Sequence, residues 1–320
     1  MGDGKGSLAL MNSGPLGATA WDVVSRTGVY SGTKVLGGDL SVALLPQPRG
    51  GFHLIRIPPG GATLAAYTSD GTPLTQVRLT TSDSVPYSVS ADPRGGTLVA
   101  QWAPRDNGTQ VLTFQFFDPE GVPRAAPVES RSAPLNESRS ILAATDTLGR
   151  TLLMWTEPGL STSMGQWVKR NGNALTPPFA IPVIPPTFTG RLSPLAGGGL
   201  ALQVQQQWVL QFPSGEAHSL PAPAWLADQP GSRLELIRGK QANLLLPPPE
   251  FFDDTGCQET LLFFTSEGSA CGELAVPLGG NTCFRRQLGV GVDGTVIQQL
   301  ELNITANTQC AWRWWPQALR

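Results

Sequence analysis

A short module recurs along almost the whole chain, and its period limits the folds open to it. One copy reads Ser88 to Trp102, SVSADPRGGTLVAQW, and continues as Thr113 to Pro123, TFQFFDPEGVP. The next reads Ile141 to Trp155, ILAATDTLGRTLLMW, and continues as Gly165 to Pro178, GQWVKRNGNALTPP. In each, a Gly-rich turn opens an apolar strand, a polar stretch follows, and a second strand ends in a Gly-centred hairpin. A unit this thin cannot bury both of its faces alone, so stability requires that neighbouring units stack.

Two kinds of turn alternate. The first joins one inner strand to the next, at Asp3-Gly4, Gly50-Gly51, Gly95-Gly96, Gly149, Gly197 to Gly199, Gly239 and Gly294. The second closes an outer hairpin, at Gly28, Gly71, Gly121, Gly172, Gly215 and Gly268. Within each kind the spacing is about 40 to 55 residues, the length of one four-stranded propeller blade. The strands between turns are short apolar runs such as Thr97 to Trp102, Thr151 to Trp155 and Leu261 to Phe264. Such runs suit strands covered on both faces. No stretch of 3.6-residue periodicity competes with them, apart from one short turn at Ala222 to Asp228. Three consecutive prolines place Leu244 to Gly256 in a long loop.

These features predict an all-β fold, a β-propeller of six or seven four-stranded blades in one domain spanning residues 1–320. Blade-like units fall at about 6–36, 40–82, 86–134, 137–185, 187–228, 233–280 and 283–320. The first lacks an innermost strand and the last an outermost one. Either seven blades are present with two imperfect, or six close with N-terminal strands completing the last. Closure matters because an open ring exposes strand edges and an apolar face. Charged residues make up only 14% of the chain, which agrees with sheets that hide both faces.

The carriers of the repeat are Asp92, Gly95, Trp102, Phe116, Asp118, Gly121 and Pro123, then Asp146, Gly149, Trp155, Trp167, Asn171 and Gly172. On these the chain resembles a β-propeller-type repeat of exported bacterial proteins. The resemblance implies a fold and an extracytoplasmic setting (periplasm, outer surface or secreted), with an export signal lying outside these residues. It implies no activity and no site residues.

The net charge of −2 and the absence of a basic block give no support to a nucleic-acid or anionic-membrane surface. No apolar run approaches the ~20 residues of a membrane span. Cys257, Cys271, Cys283 and Cys310 lie in the last fifth of the chain without a C-x-x-C pair. Two disulfides in an oxidising compartment are the expectation, with three pairings open.

Catalytic motifs are scarce. No G-x-S-x-G elbow occurs, and His53 and His218 are the only histidines a Ser-His-Asp set could use. Glu157, Glu250, Asp253, Asp254 and Glu259 include no pair marked by spacing as an acid and base. Asp146-Thr-Leu-Gly149 reads as a turn whose carboxylate caps backbone amides. Gly289 to Gly294 matches G-x-G-x-x-G, but a strand follows where the dinucleotide motif needs a helix. No metal site or cofactor is expected. Trp312, Arg313 and Trp314 form the densest aromatic cluster, suited to stacking a sugar or anchoring a protein.

The expected role is therefore a non-enzymatic exported or cell-surface module recognising a protein or glycan. The expected binding residues are Trp312, Arg313, Trp314, Glu250, Asp253 and Asp254. The alternatives are a glycoside hydrolase or lyase using carboxylates in the central funnel, and a structural piece of a surface assembly.

Overall fold

The computed structural model describes residues 8–13, 19–24, 29–35, 40–58, 60–79, 87–135, 140–157, 160, 162–181, 192–195, 198–204, 207–214, 217–220, 233–236, 242–246, 258–265, 270–277, 284–290, 296–304 and 307–315. Among these there is no helix, and seven antiparallel sheets follow one another along the chain. The first is β1 (Leu8–Ser13), β2 (Thr19–Val24) and β3 (Tyr30–Val35). The second is β4 (Leu40–Pro46), β5 (Phe52–Ile57), β6 (Thr63–Tyr67) and β7 (Pro73–Arg78). The third is β8 (Tyr87–Ala91), β9 (Thr97–Pro104), β10 (Thr109–Phe117) and β11 (Val128–Pro134). The fourth is β12 (Ile141–Thr145), β13 (Thr151–Trp155), β14 (Ser163–Val168) and β15 (Phe179–Ile181). The fifth is β16 (Leu192–Pro194), β17 (Leu200–Val204), β18 (Gln207–Gln211) and β19 (Ala217–Leu220).

Sheets one to five belong to a compact unit, Asp3–Leu220. The second unit, Pro221–Arg320 with Met1–Gly2, holds two more sheets. One is β20 (Arg233–Leu236), β21 (Ala242–Leu246), β22 (Gln258–Thr265) and β23 (Ala270–Pro277). The other is β24 (Phe284–Val290), β25 (Val296–Ile304) and β26 (Asn307–Trp315). Every sheet is a meander in which consecutive strands pair.

In the larger unit the sheets stack face to face, and strand alternation divides each apolar run between two neighbours. On β9, Leu98, Ala100 and Trp102 join a core with Leu153 and Trp155 of the fourth sheet. Val99, between them, packs with Ile55 and Leu64 of the second sheet. On β13, Leu153 and Trp155 face the third sheet while Leu152 and Met154 share a core with Leu200, Leu202 and Val209 of the fifth. Both β6 and β13 are buried at every position. That is why these strands read as continuous apolar runs and not as alternation. The fourth strands, β7 and β11, are mostly exposed or half-buried. They carry Arg78, Glu129 and Arg131, charges that discourage pairing of an open edge with another chain. The first strands β4, β8, β12 and β16 lie side by side in succession, so the array turns about them.

The glycine turns fall where the sequence predicts. Gly50, Gly95, Gly149 and Gly198 of the first kind, and Gly71, Gly121 and Gly172 of the second, all have positive φ. One prediction needs correction. Leu244 to Leu246 are not loop but the end of β21, paired with β20 and β22, because the strand runs up to the first proline. Cys271 lies at a register shift in β23, and Cys310 lies opposite Glu301 on β25. Cys257 and Cys283 lie outside the described residues, as does the segment 222–228.

Candidate functional site

Four turns that open the second strand of a sheet share one backbone design. In Gln47 to Gly51, Asp92 to Gly96, Asp146 to Arg150 and Leu195 to Gly199, the first residue's amide donates to the fifth carbonyl. In each, the fourth residue's amide donates back to the first carbonyl. In two of the four, the first side chain then reaches the next turn. Gln47 Oε1 accepts from the Gly96 amide at 2.6 Å, one sheet further on. Asp146 Oδ2 likewise accepts from the Gly199 amide at 2.9 Å. Fifty residues apart in sequence, these partners meet because stacking brings successive turns together.

Asp146 is fully buried and fully engaged. Its Oδ1 accepts from the Leu148 and Arg150 amides, at 3.0 and 2.9 Å. Its Oδ2 also takes the Arg150 guanidinium through Nε and Nη2, at 2.8 and 2.6 Å. The predicted amide capping is therefore present. The cross-sheet bond and the arginine fork are additions that no local pattern announces.

Asp92 is equally buried, but its surroundings differ. Its Oδ1 accepts from the Arg94 amide at 2.9 Å. Its Oδ2 accepts from Arg170 Nη2, which arrives from the β14–β15 hairpin of the next sheet. Arg94 Nε stands 3.8 Å from the carboxylate, and its guanidinium covers Gly149. Arg124 Nη2 donates to the Gly95 carbonyl at 3.0 Å. Arg170 also lies 4.9 Å over the Phe116 ring. Burial pulls the Arg170 guanidinium below its usual value. Asp92 opposes this, and Arg124 and Arg94 add to the depression.

His53 is the third polar group at this end. Its Nε2 donates to the Pro119 carbonyl at 2.9 Å, so Nδ1 accepts from the Thr97 hydroxyl at 2.7 Å. Burial lowers its pKa, against a smaller upward pull from the Pro119 bond and the Asp118 charge. Both nitrogens are spent joining the second sheet to the third, which leaves neither to act as a base. Glu157 is structural in the same sense: it accepts from Trp155 Nε1 at 3.1 Å and pairs with Arg131 of the third sheet.

Trp312, Arg313 and Trp314 lie on β26, a sheet edge, opposite Gln299, Gln298 and Ile297 of β25. Glu250, Asp253 and Asp254 lie outside the described residues. Glu259 sits on β22 opposite Val276, and His218 on β19 opposite Leu210. Sequence reasoning missed Arg94, Arg124 and Arg170. No local pattern marks them, since Arg170 stands 78 residues from Asp92, on the next sheet.

No family model matches the chain, and no curated protein does. Solved structures do match in fold. One is from a study of two prolyl endopeptidases, at 14% identity and TM-score 0.52, covering 96% of this chain and 46% of that one. Another is prolyl oligopeptidase B from Galerina marginata, at 10% identity and TM-score 0.54, covering 98% and 49%. The same enzyme bound to a 25mer macrocyclization substrate matches at 10% and 0.53, covering 99% and 50%. The chain thus spans about half the length of these structures, and the matched part is their β-propeller domain. This likeness corrects the expectation of a stand-alone binding module, together with the glycoside hydrolase, lyase and surface-assembly alternatives. The matching propellers are parts of peptidases. The shared architecture is an all-β array of four-stranded antiparallel sheets, as in the propeller of prolyl oligopeptidases.

Proposed function

We propose that this chain is a peptidase-type propeller, a non-nucleophilic body that screens peptide chains for a catalytic domain. The observation that carries this reading is the fold match along 96 to 99% of the chain to propellers of prolyl peptidases. The sequence supports the division of labour, since its 320 residues contain no nucleophile elbow. The seven sheets are read as seven blades. A filter of this kind admits a flexible chain and rejects a folded one, which is a selectivity by size and not by chemistry.

The test is a fluorescence-polarisation titration of the purified chain with labelled Pro-containing oligopeptides, alongside a small folded protein carrying the same label. Saturable binding of the peptides and none of the folded protein is the expected result. Binding of neither, or of the folded protein alone, overturns the proposal.

A further inference from the structure

The three turn junctions of the larger unit differ in how they balance charge. At Gln47 a neutral carbonyl oxygen meets the Gly96 amide. At Asp146 one carboxylate is matched by one guanidinium, Arg150. At Asp92 the same single carboxylate takes Arg170 and, at 3.8 Å, Arg94, while Arg124 is held on the Gly95 carbonyl of the same turn. Only Arg170 is needed to neutralise it. Two positive charges are left over, and among the described residues neither Arg124 nor Arg94 has another acidic partner. Side-chain exposure is 43% for Arg94, and Arg124 is exposed as well. Each therefore retains guanidinium N–H groups facing solvent.

Like charges held together this way repel, and the turn scaffold holds them in place. Arg124 is tied to the Gly95 carbonyl, and Arg94 is laid over Gly149, where a side chain would displace it. Leu148, 60% exposed, precedes Gly149 within that turn, and its side chain lies over Gly198. A paired guanidinium site beside an exposed leucine matches a carboxylate attached to an apolar side chain better than it matches a bare inorganic oxyanion.

We infer that Arg94 and Arg124 form a subsite for the C-terminal carboxylate of a peptide, with Leu148 beside its last side chain. This rests on the peptidase-propeller reading and specifies which end of the peptide the array holds.

The experiment compares one labelled oligopeptide, ending in Leu, as its free acid and as its C-terminal amide, against the whole chain. The free acid binds about tenfold more tightly, as one charge-assisted contact supplies. Arg94→Gln and Arg124→Gln each remove most of that difference. Equal binding of acid and amide to the unaltered chain overturns the inference alone. Absence of binding in both forms overturns the peptidase-propeller reading as well. Inorganic phosphate serves as competitor. Phosphate that binds more tightly than the peptide acid, and is lost in the same two variants, reassigns the site and overturns the peptide assignment. The acid–amide comparison needs no variant, so a misfolded substitution cannot decide the outcome.

Discussion

In the larger unit's stacking, His53 is buried and neutral with both ring nitrogens committed. Its folded-state pKa lies below the ordinary 6.5. Between that value and the lowered one, the unfolded chain binds a proton that the folded chain does not. Stability therefore rises with pH through this window and falls as the medium is acidified below about 6.5. In His53→Gln this part of the acid loss disappears. Urea midpoints of the two proteins, measured from pH 7 down to pH 5, show a gap that narrows or reverses toward the acid end. A constant gap would mean that His53 titrates normally. The sequence placed His53 on a strand but could not show this role. Its partners, Thr97 and Pro119, belong to a different repeat, and no local pattern encodes who faces whom across a stack. The arginines around Asp92 escaped notice for the same reason. Arg170 reads as an ordinary hairpin residue until the next sheet is laid against it.

At the level of strands and turns, sequence and structure agree closely, because the determinants are local. Positive φ requires glycine at turn corners, and a strand covered on both faces must be apolar throughout. Two glycines separate backbone cost from crowding. Gly108, in the β9–β10 turn, has φ 74° and open space where a side chain would go. Ala there costs about 1 kcal/mol, the left-handed penalty alone. Gly96 has φ 100°, and a Cβ there would meet the Phe117 carbonyl. Ala at Gly96 costs about 3 kcal/mol or more, since strain and collision add. Equilibrium denaturation of both variants checks the ordering, and equal losses would show that the turn relaxes around the added methyl. The proline-rich segment is the contrary case. Its composition overrode a strand that ends at Leu246, because proline forbids only its own place in a ladder and not the residues before it.

Across the larger unit, stability is shared between neighbours. Trp155 is buried in the core between the third and fourth sheets, with Arg131 stacked 5.2 Å from its ring and Glu157 bonded to its Nε1. Trp155→Ala removes one of the largest buried side chains and costs about 3 to 5 kcal/mol. Because each sheet contacts only those beside it, the loss is local. Hydrogen exchange of the variant accelerates first on β9, β10, β12 and β13, while β5 and β6 of the second sheet keep more of their protection. Uniform acceleration would show that the five sheets unfold as one. The stack of sheets was legible from the period of the glycines. The likeness of fold to the propellers of prolyl peptidases was not, since it comes with only 10 to 14% sequence identity.

The relay from the first position of one turn to the fifth position of the next carries a meaning for how such a chain arises. Gln47 serves Gly96, and Asp146 serves Gly199. Gln47 and Asp146 thus each bring an oxygen for the amide of the following turn. Copying one module in tandem within a gene would hand the newcomer a ready partner on either side. Chains of this kind can lengthen by duplication without first inventing a new joint, and later drift, as at Asp92, is free to put the spare groups to other uses.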